Sequence, residues 1–478
     1  MSAGRTAQAM EHYTRAVALM PADAEIAVLH GVALRDANRT QESQRELIRA
    51  IALEPQRADS YRQLAHSFHS IGDRIQAANA FMAAATLAQT DAMLWRDGAE
   101  AMRLAARHTD ALAMAQRAYQ LTPENPRVAA TWASALHRNG VLQEAVEVCA
   151  RARAAWPADL HLALTHAMLL LTFETFHEGW ALHERRLELP ALTARQHPPE
   201  SPRWDGAMLA GEHLLIRAEQ GLGDQVQFVR WAVALRAAGA GRVTLQCAPQ
   251  LVRLLQTALS VDAVIPTSGL APPHDLHVDI MSLPHLLRTG ADLLRQTVPY
   301  LSVPETNLAP GAALPSVPTG TMRIGVVWGG LPQHADDAVR SMSLTTLLPI
   351  LRRADVQVVV LQHGPAREQL ALLDVETRGA LQDIAPRCRD MADTAQIIAG
   401  CDAVLTVDTS VAHVAGALGV PVWVMVAEPA EWRWGRGRAD SLFYPSARVF
   451  RQTRSGDWSA VVEAVGLAID TFITERQR

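Results

Sequence analysis

Lysine is absent from this 478-residue chain, so all 44 of its lysine-plus-arginine cations are arginines. Any side-chain cation that meets an anion here therefore carries a planar guanidinium, a fork of donors suited to bidentate contact with carboxylate or phosphate. Cysteine is scarce. Cys149, Cys247, Cys388 and Cys401 lie far apart with no CxxC pair and no metal-ligand spacing, which argues against a disulfide framework or a structural zinc and implies a reducing compartment. Long apolar runs are missing too: the longest, over 162–173, contains His166 and falls well short of the ~20 residues that a membrane span requires. The first sixteen residues alternate polar and apolar side chains with no signal-peptide core, so a cytoplasmic protein is expected. Charge of one sign does not dominate. The net charge is -5, and no basic run with interleaved aromatics is present, which excludes nucleic acid as an expected partner. What is abundant is apolar side chain, at 49%, in a length sufficient for about three domains of roughly 150 residues each.

A fixed period runs through the first third of the chain. Pro21, Pro55, Pro123 and Pro157 fall on one 34-residue grid, with Gln89 in the vacant slot. Small residues keep the same spacing in three further registers: Ala16, Ala50, Ala84, Ala118 and Ala152; Gly31, Ala65, Ala99, Ala133 and Ala167; Ala9, Ser43, Ala77, Ala111 and Ala145. Small side chains at such intervals let antiparallel helices approach closely and let each pair stack on the next, while Tyr13, Leu47, Phe81, Tyr61, Leu64 and Trp132 fill the space between. The pattern resembles the tetratricopeptide repeat over 1–172. Gly4 falls at the slot for the turn inside a repeat, so the chain is expected to open on the second helix of its first unit. The resemblance implies an α-solenoid arm that presents a surface to a protein or peptide partner.

After Leu170 the period is expected to fail, with a helical connector over 173–211. The pattern then changes to strand, turn, helix, strand. Strands are expected over 213–217, 242–247 and 263–266, with helices over 225–238 and 249–259; the stretch 303–322, rich in Pro, Gly and Ala, reads as a linker. Beyond it, strands are expected over 323–328, 356–361, 403–407 and 421–426, with helices over 344–353, 366–372, 391–399 and 411–418. Alternation at this pace indicates parallel sheets in two lobes, 212–302 and 323–478, whose strand-end loops face a cleft.

Four loops stand at strand ends. The first, Glu219-Gln220-Gly221-Leu222-Gly223-Asp224, has glycines for a tight turn at Gly221 and Gly223, and Asp224 is placed to cap the following helix with Gln227 three residues on. Its spacing is not that of a dinucleotide fingerprint, so no nicotinamide cofactor is expected. The second, Asp408-Thr409-Ser410-Val411-Ala412-His413, puts Thr409 and Ser410 at a helix N-terminus, where backbone N–H groups suit a diphosphate, with His413 one turn in. The third, 334–341, holds His334, Asp336, Asp337, Arg340 and Ser341, and the Asp336-Asp337 pair reads as a solvated turn. Gln362-His363-Gly364 is the fourth, suited to hydrogen bonding a base or ribose.

Taken together, EQGLGDQVQFVRWA at Glu219, GVVWGG at Gly325, RS at Arg340, LQ at Leu361, VDTSVAHVAGALGVPVW at Val407, EWRW at Glu431 and FYPSARVFRQ at Phe443 resemble the glycosyltransferase module that follows tetratricopeptide repeats in many bacterial proteins. That module is similar to the heptosyltransferases of glycosyltransferase family 9. The resemblance covers about 178–458 and implies the GT-B fold of two Rossmann-like lobes. It also implies a nucleoside-diphosphate sugar as co-substrate bound in the carboxyl-terminal lobe, and Asp224 as base. The sequence departs from the pattern in the loop His334-Ala335-Asp336-Asp337, which has an aspartate where an asparagine is common, and at Leu331, which replaces a commonly polar residue.

The expected chemistry is displacement at an anomeric carbon. Asp224 removes the acceptor proton, with Gln220, Gly221 and Gly223 forming the acceptor-side loop. Arg340, Ser341, Gln362, Asp408, Thr409, Ser410 and His413 hold the donor. No cofactor and no metal are expected, since no DxD-like pair ends a strand. Two alternatives fit the same pattern: a catalytically silent nucleotide-sugar-binding scaffold acting through its repeats, and a different enzyme on doubly wound lobes such as a sugar-nucleotide epimerase.

Overall fold

The structure is a computed structural model that describes residues 3–190, 192, 201–288, 298–304, 314–317, 320–334 and 336–476. It forms two compact units, Met1–His166 and Ala167–Arg478. Much of the expected linker 303–322 lies outside the described residues, as do positions 191 and 193–200 of the expected connector and the side chain of Ala9.

The first unit is a run of paired helices whose starts keep the 34-residue spacing. After α1 (Ala3–Leu19) come α2 (Ala24–Asp36), α4 (Ala58–Ser70), α6 (Ala92–Leu104), α8 (Pro126–Arg138) and α10 (Leu160–Thr172), alternating with α3 (Thr40–Leu53), α5 (Arg74–Leu87), α7 (His108–Leu121) and α9 (Leu142–Ala155). Asp23, Asp91 and Asn125 cap α2, α6 and α8 by accepting from backbone N–H groups of the first turn. Inside the array Ala65, Ala84, Ala118, Ala133 and Ala145 are fully buried. A Cβ on Gly31 would lie 2.7 Å from Leu47 Cγ, which shows how closely α2 and α3 approach.

Two details correct the sequence expectation. Gly4 lies inside α1 and not in a turn. The period also continues one step beyond Leu170. Asn38, Gly72, Ala106, Gly140 and Glu174, spaced by 34, all adopt positive φ at the turn between paired helices. The next helix, α11 (Phe176–His183), starts 34 residues after α9, and Gly179 occupies the small-residue register, its would-be Cβ 2.8 Å from Leu171. What reads as a connector is the second helix of a further repeat, shortened and closed by a 3-10 turn over Glu184–Glu188.

The second unit holds two parallel sheets. In the first lobe β1 (His213–Arg217), β2 (Arg242–Cys247), β3 (Ala263–Pro266) and β4 (Leu276–Asp279) are ordered β3-β2-β1-β4. In the second, β5 (Met322–Val327), β6 (Val356–Val360), β7 (Gln382–Asp383), β8 (Ala403–Val407), β9 (Val422–Val426) and β10 (Ala447–Arg451) are ordered β10-β9-β8-β5-β6-β7. Every pairing is parallel. β8 and β9 are buried along their whole length, as expected of strands covered on both faces. One hydrophobic core runs from Leu214, Val226 and Trp231 of the first lobe to Val411, Val414 and Tyr444 of the second, so the lobes share buried surface. A second core lies on the other face of the larger sheet, beneath the C-terminal helix Ser459–Arg476. Among the described residues no helix is long and apolar enough to cross a membrane.

Candidate active site

The loop after β1 turns on Gln220, which holds a left-handed φ of 61°. That conformation is uncommon for a residue with a side chain and concentrates at functional turns. Gly221 is the N-cap of the helix Leu222–Phe228, which starts three residues earlier than expected. Asp224 is therefore not the N-cap. It stands at the third helical position, and its Oδ2 reaches back to accept from the Gly221 N–H at 2.9 Å. Its Oδ1 points the other way and accepts from Nη2 of Arg433, a residue of the second lobe.

Arg433 organises this side of the cleft. Its Nε donates to Gln227 Oε1 at 2.5 Å and its Nη1 to Glu431 Oε1 at 2.6 Å, while the guanidinium stacks over the Trp432 ring at 4.6 Å. Acceptors from both lobes thus share one cation, and a guanidinium is the side chain shaped to serve three at once. Glu431 caps the turn Trp432–Trp434 by accepting from the Arg433 N–H at 3.0 Å. Burial pushes its carboxyl up to about 7, the Asp408 carboxylate adds to that push, and Arg433 opposes it. Sequence reasoning does not single out Glu431 or Arg433 as a site residue. The available signal is the EWRW tetrapeptide, in which an acid and a cation two residues apart alternate with tryptophans.

Opposite Asp224, β8 hands over to the helix Ser410–Ala417. Thr409 is its N-cap by position, but the hydroxyl lies 3.0 Å from Thr406 Oγ1 and makes no capping bond to the helix. The Ala412 N–H donates to the Thr409 carbonyl at 3.1 Å, while the N–H groups of Ser410 and Val411 are left for another acceptor, the arrangement that favours an anion. His413 is buried, its Nδ1 2.8 Å from the Tyr444 hydroxyl and its ring stacked against Trp434 at 5.6 Å. Burial, with Arg433, Arg230 and Arg340 nearby, drives its pKa well down, so the ring is neutral at physiological pH. Gly223 lets this helix meet the Asp224 helix: a Cβ there would sit 2.7 Å from His413 Cδ2 and 3.4 Å from Ser410 Cα.

The remaining expected donor residues line the end of β5. Gln362 is buried, and its amide is fully engaged with backbone: Oε1 accepts from Trp328 and Gly329 N–H at 2.9 Å each, and Nε2 donates to the Gly329 and His363 carbonyls at 2.9 and 2.7 Å. Ser341 Oγ accepts from Gly330 N–H at 2.9 Å and donates to Asp337 Oδ1 at 2.8 Å. Both side chains shape the loop 328–330. Asp337 is not a solvated turn residue. It is partly buried, bonded to Ser341, and 3.6 Å from the Arg340 guanidinium. Arg340 lies across Gly330, where a Cβ would fall 2.6 Å from its Nη2. Asp408 is near enough to raise the Glu431 carboxyl and to act on His334, whose pKa falls chiefly through burial and then through Arg340. Arg340, Asp408, Ser410, His413, Glu431, Arg433 and Asp224 therefore border one region between the lobes. Among the described residues no three His, Cys, Asp or Glu side chains converge as a metal-ligand set. The thiols of Cys149, Cys247 and Cys401 are buried and pushed up to about 12, which removes them as nucleophiles.

In the repeat unit, Arg35, Asp36, Asn38, Gln63, His66, His69 and Ser70 line a groove of about 550 Å³ between α2 and α4.

Residues 344–428 match the model of glycosyltransferase family 9 (heptosyltransferase). Over 340 residues the chain is 26% identical to Protein FlbA of Caulobacter vibrioides, a match that covers 66% of this chain and 56% of that protein. The chain thus spans little more than half the length of this curated relative. Among solved structures, YrrB, described as a TPR protein with an unusual peptide-binding site, is similar at 17% identity with a TM-score of 0.33, covering 39% of this chain and 99% of that one. A tetratricopeptide repeat protein from Parabacteroides merdae is similar at 14% identity with a TM-score of 0.35, covering 39% and 73%.

Proposed function

For a chain that joins a tetratricopeptide-type repeat arm to a glycosyltransferase family 9-like module, we propose metal-independent transfer of a sugar from a nucleoside-diphosphate sugar to an acceptor hydroxyl. The observation that carries this reading is the placement of the Asp224 carboxylate across the lobes from the uncapped N-terminus of Ser410–Ala417. Asp224 accepts the hydroxyl proton as oxygen bonds to the anomeric carbon, and the electrons of the breaking bond leave with the diphosphate. Charge growing on that diphosphate meets the Ser410 and Val411 N–H groups and the guanidinium of Arg340, both fixed in advance. Gln362 and Ser341 act one step back by holding the loop over which Arg340 lies. Arg433 keeps the Asp224 carboxylate aimed and balances Glu431. The repeat arm recruits the acceptor or a protein that carries it, through surfaces such as the groove at Arg35 and His66.

The test is a panel of UDP-, GDP-, ADP-, CDP- and dTDP-sugars offered with and without candidate acceptors, following free nucleoside diphosphate. Acceptor-dependent release that persists in a chelator is the expected outcome. Binding of a nucleotide sugar with no release under any condition would favour the scaffold instead, and interconversion of the sugar without release would favour an epimerase.

A further inference from the structure

The helix α11 and the turn after it touch both loops that carry the proposed chemistry. Arg186, 2% exposed, sends a forked pair of bonds to Glu219, 7% exposed: Nη2 to Oε1 at 2.5 Å and Nε to Oε2 at 3.1 Å. Glu219 opens the loop that ends at Asp224, and the same Oε1 accepts from the Met281 N–H at 3.2 Å. Arg186 also donates to Glu184 at 2.7 Å and to Ser282 Oγ at 2.9 Å, which leaves its guanidinium one orientation. Within α11 itself, the buried Trp180 meets Trp432 edge-on at 5.2 Å, and it packs on Phe228 and Trp231 of the first lobe at 5.6 and 6.3 Å. Trp432 stands between Glu431 and Arg433 and carries the Arg433 guanidinium on its face. His183, between these contacts, is held down to about 3 by burial and then by Arg186 and Arg433, which shows both cations acting on one ring.

A buried ion pair is a weak source of stability, because desolvation offsets most of its attraction. A pair of apolar side chains would fill the same space. What the forked Arg186–Glu219 contact adds is direction: it fixes the backbone immediately before Gln220, the residue held at a left-handed φ.

We propose that residues 176–188 are a positioning element of the transfer reaction, in which Arg186 fixes the loop presenting Asp224 and Trp180 fixes the segment presenting Arg433. The catalytic half of this proposal rests on Asp224 being the base; the loop-holding half does not.

The experiment uses the full chain and two variants, the double Arg186→Met, Glu219→Met and the single Arg186→Lys. The first removes both charges together, and the second keeps a paired cation but loses the planar fork. Thermal melting establishes folding. Hydrogen exchange of peptides covering 219–228 then reads loop order without any ligand, and nucleoside diphosphate release from the panel above reads turnover. Both variants should melt close to the parent, exchange faster over 219–228, and lose about 10²-fold in kcat with donor KM little changed, as expected when a reacting group is misplaced by about an ångström. Parental exchange over 219–228 in either folded variant overturns the proposal, as does turnover within a few-fold of the parent. If the double variant does not fold, Arg186→Lys decides alone. If the parent releases no diphosphate from any donor, the transferase reading falls, and exchange still decides whether Arg186 holds the loop.

Discussion

The ring of His413 leaves no room for a side chain at Gly223, since a Cβ there would come within 2.7 Å of Cδ2. His413 cannot yield: it is buried between Trp434 and Tyr444 and bonded to the Tyr444 hydroxyl. Gly223→Ala should therefore push the two helices apart and cost about 1–3 kcal/mol, although alanine is favoured by up to about 1 kcal/mol in a helix. Gly466→Ala, in the helix Ser459–Arg476, is the control. There the added Cβ would meet only Ile350 Cδ1 at 3.9 Å, and the same substitution should be neutral or stabilising. Urea unfolding of both variants checks the contrast, which disappears if the lobes are free to separate.

Glu431 gives the protein a pH dependence of opposite sign to that of a salt-bridged carboxylate. Its ordinary 4.5 is raised to about 7 in the folded protein, first by burial and then by Asp408. Between these values the folded chain holds a proton that the unfolded chain has released, so stability falls as pH rises through that window. Glu431→Gln cannot titrate. Its stability relative to the parent should improve from pH 5 to pH 8, read as the difference in urea midpoint at each pH. A difference that stays flat would show that Glu431 is already ionised at pH 5.

Much of the fold was legible because buried parallel strands are apolar runs with glycine or proline at their ends. β1, β2, β3 and β8 have the bounds expected from sequence. β4 and β10 were not read as strands: β4 is four residues with His277 inside, made buriable by backbone bonds between His277 and Pro202 and Trp204, and β10 begins and ends near arginine. The last helix of the repeat is hard to read from sequence, since Gly179 keeps the small-residue register but Glu174 stands at the turn position held by Gly72 and Gly140, and the grid point at Ala191 has no proline. The site was legible only lobe by lobe. Asp224 and Arg433 are 209 residues apart, and no local pattern records that one will hold the other. Sequence also overstated the freedom of Gln362 and Ser341, because the backbone groups that occupy them come together only once β5 and β6 pair.

Arg340 is the cation expected to meet the donor diphosphate. Its Nε is buried without a hydrogen-bond partner, and its nearest carboxylate, Asp337, is 3.6 Å away and already bonded to Ser341. An ionic partner should complete it. Arg340→Ala is expected to weaken binding of the nucleoside diphosphate that the parent prefers by roughly 1.5–3 kcal/mol. Arg436→Ala, which removes a cation stacked on Phe173 at 4.3 Å, should leave that affinity alone. Calorimetry with free UDP, GDP, ADP, CDP and dTDP makes the comparison, and equal affinities in parent and Arg340→Ala would take Arg340 out of the site.

Asp224→Asn separates holding from catalysis, but its stability is not the quantity to watch. Aspartate uses one oxygen for the Gly221 N–H and the other for Arg433. Asparagine has a single oxygen for these two donors and sets an NH₂ group against one of them. A loss of about 1 kcal/mol is therefore expected whether or not Asp224 is the base, from one missing hydrogen bond. Turnover discriminates. An amide cannot take up the acceptor proton, so a general base replaced in this way should lower kcat by about 10² to 10⁴, while affinity for the nucleoside diphosphate, proposed to sit at Arg340 and the Thr409 end of the helix, stays near that of the parent. Gln227→Leu provides the comparison, because it removes another acceptor of Arg433 without touching the carboxylate. Its kcat should fall far less. Single-turnover transfer at saturating donor is the measurement, and Asp224 loses its catalytic role if the Asn variant stays within a few-fold of the parent or if Gln227→Leu is equally slow.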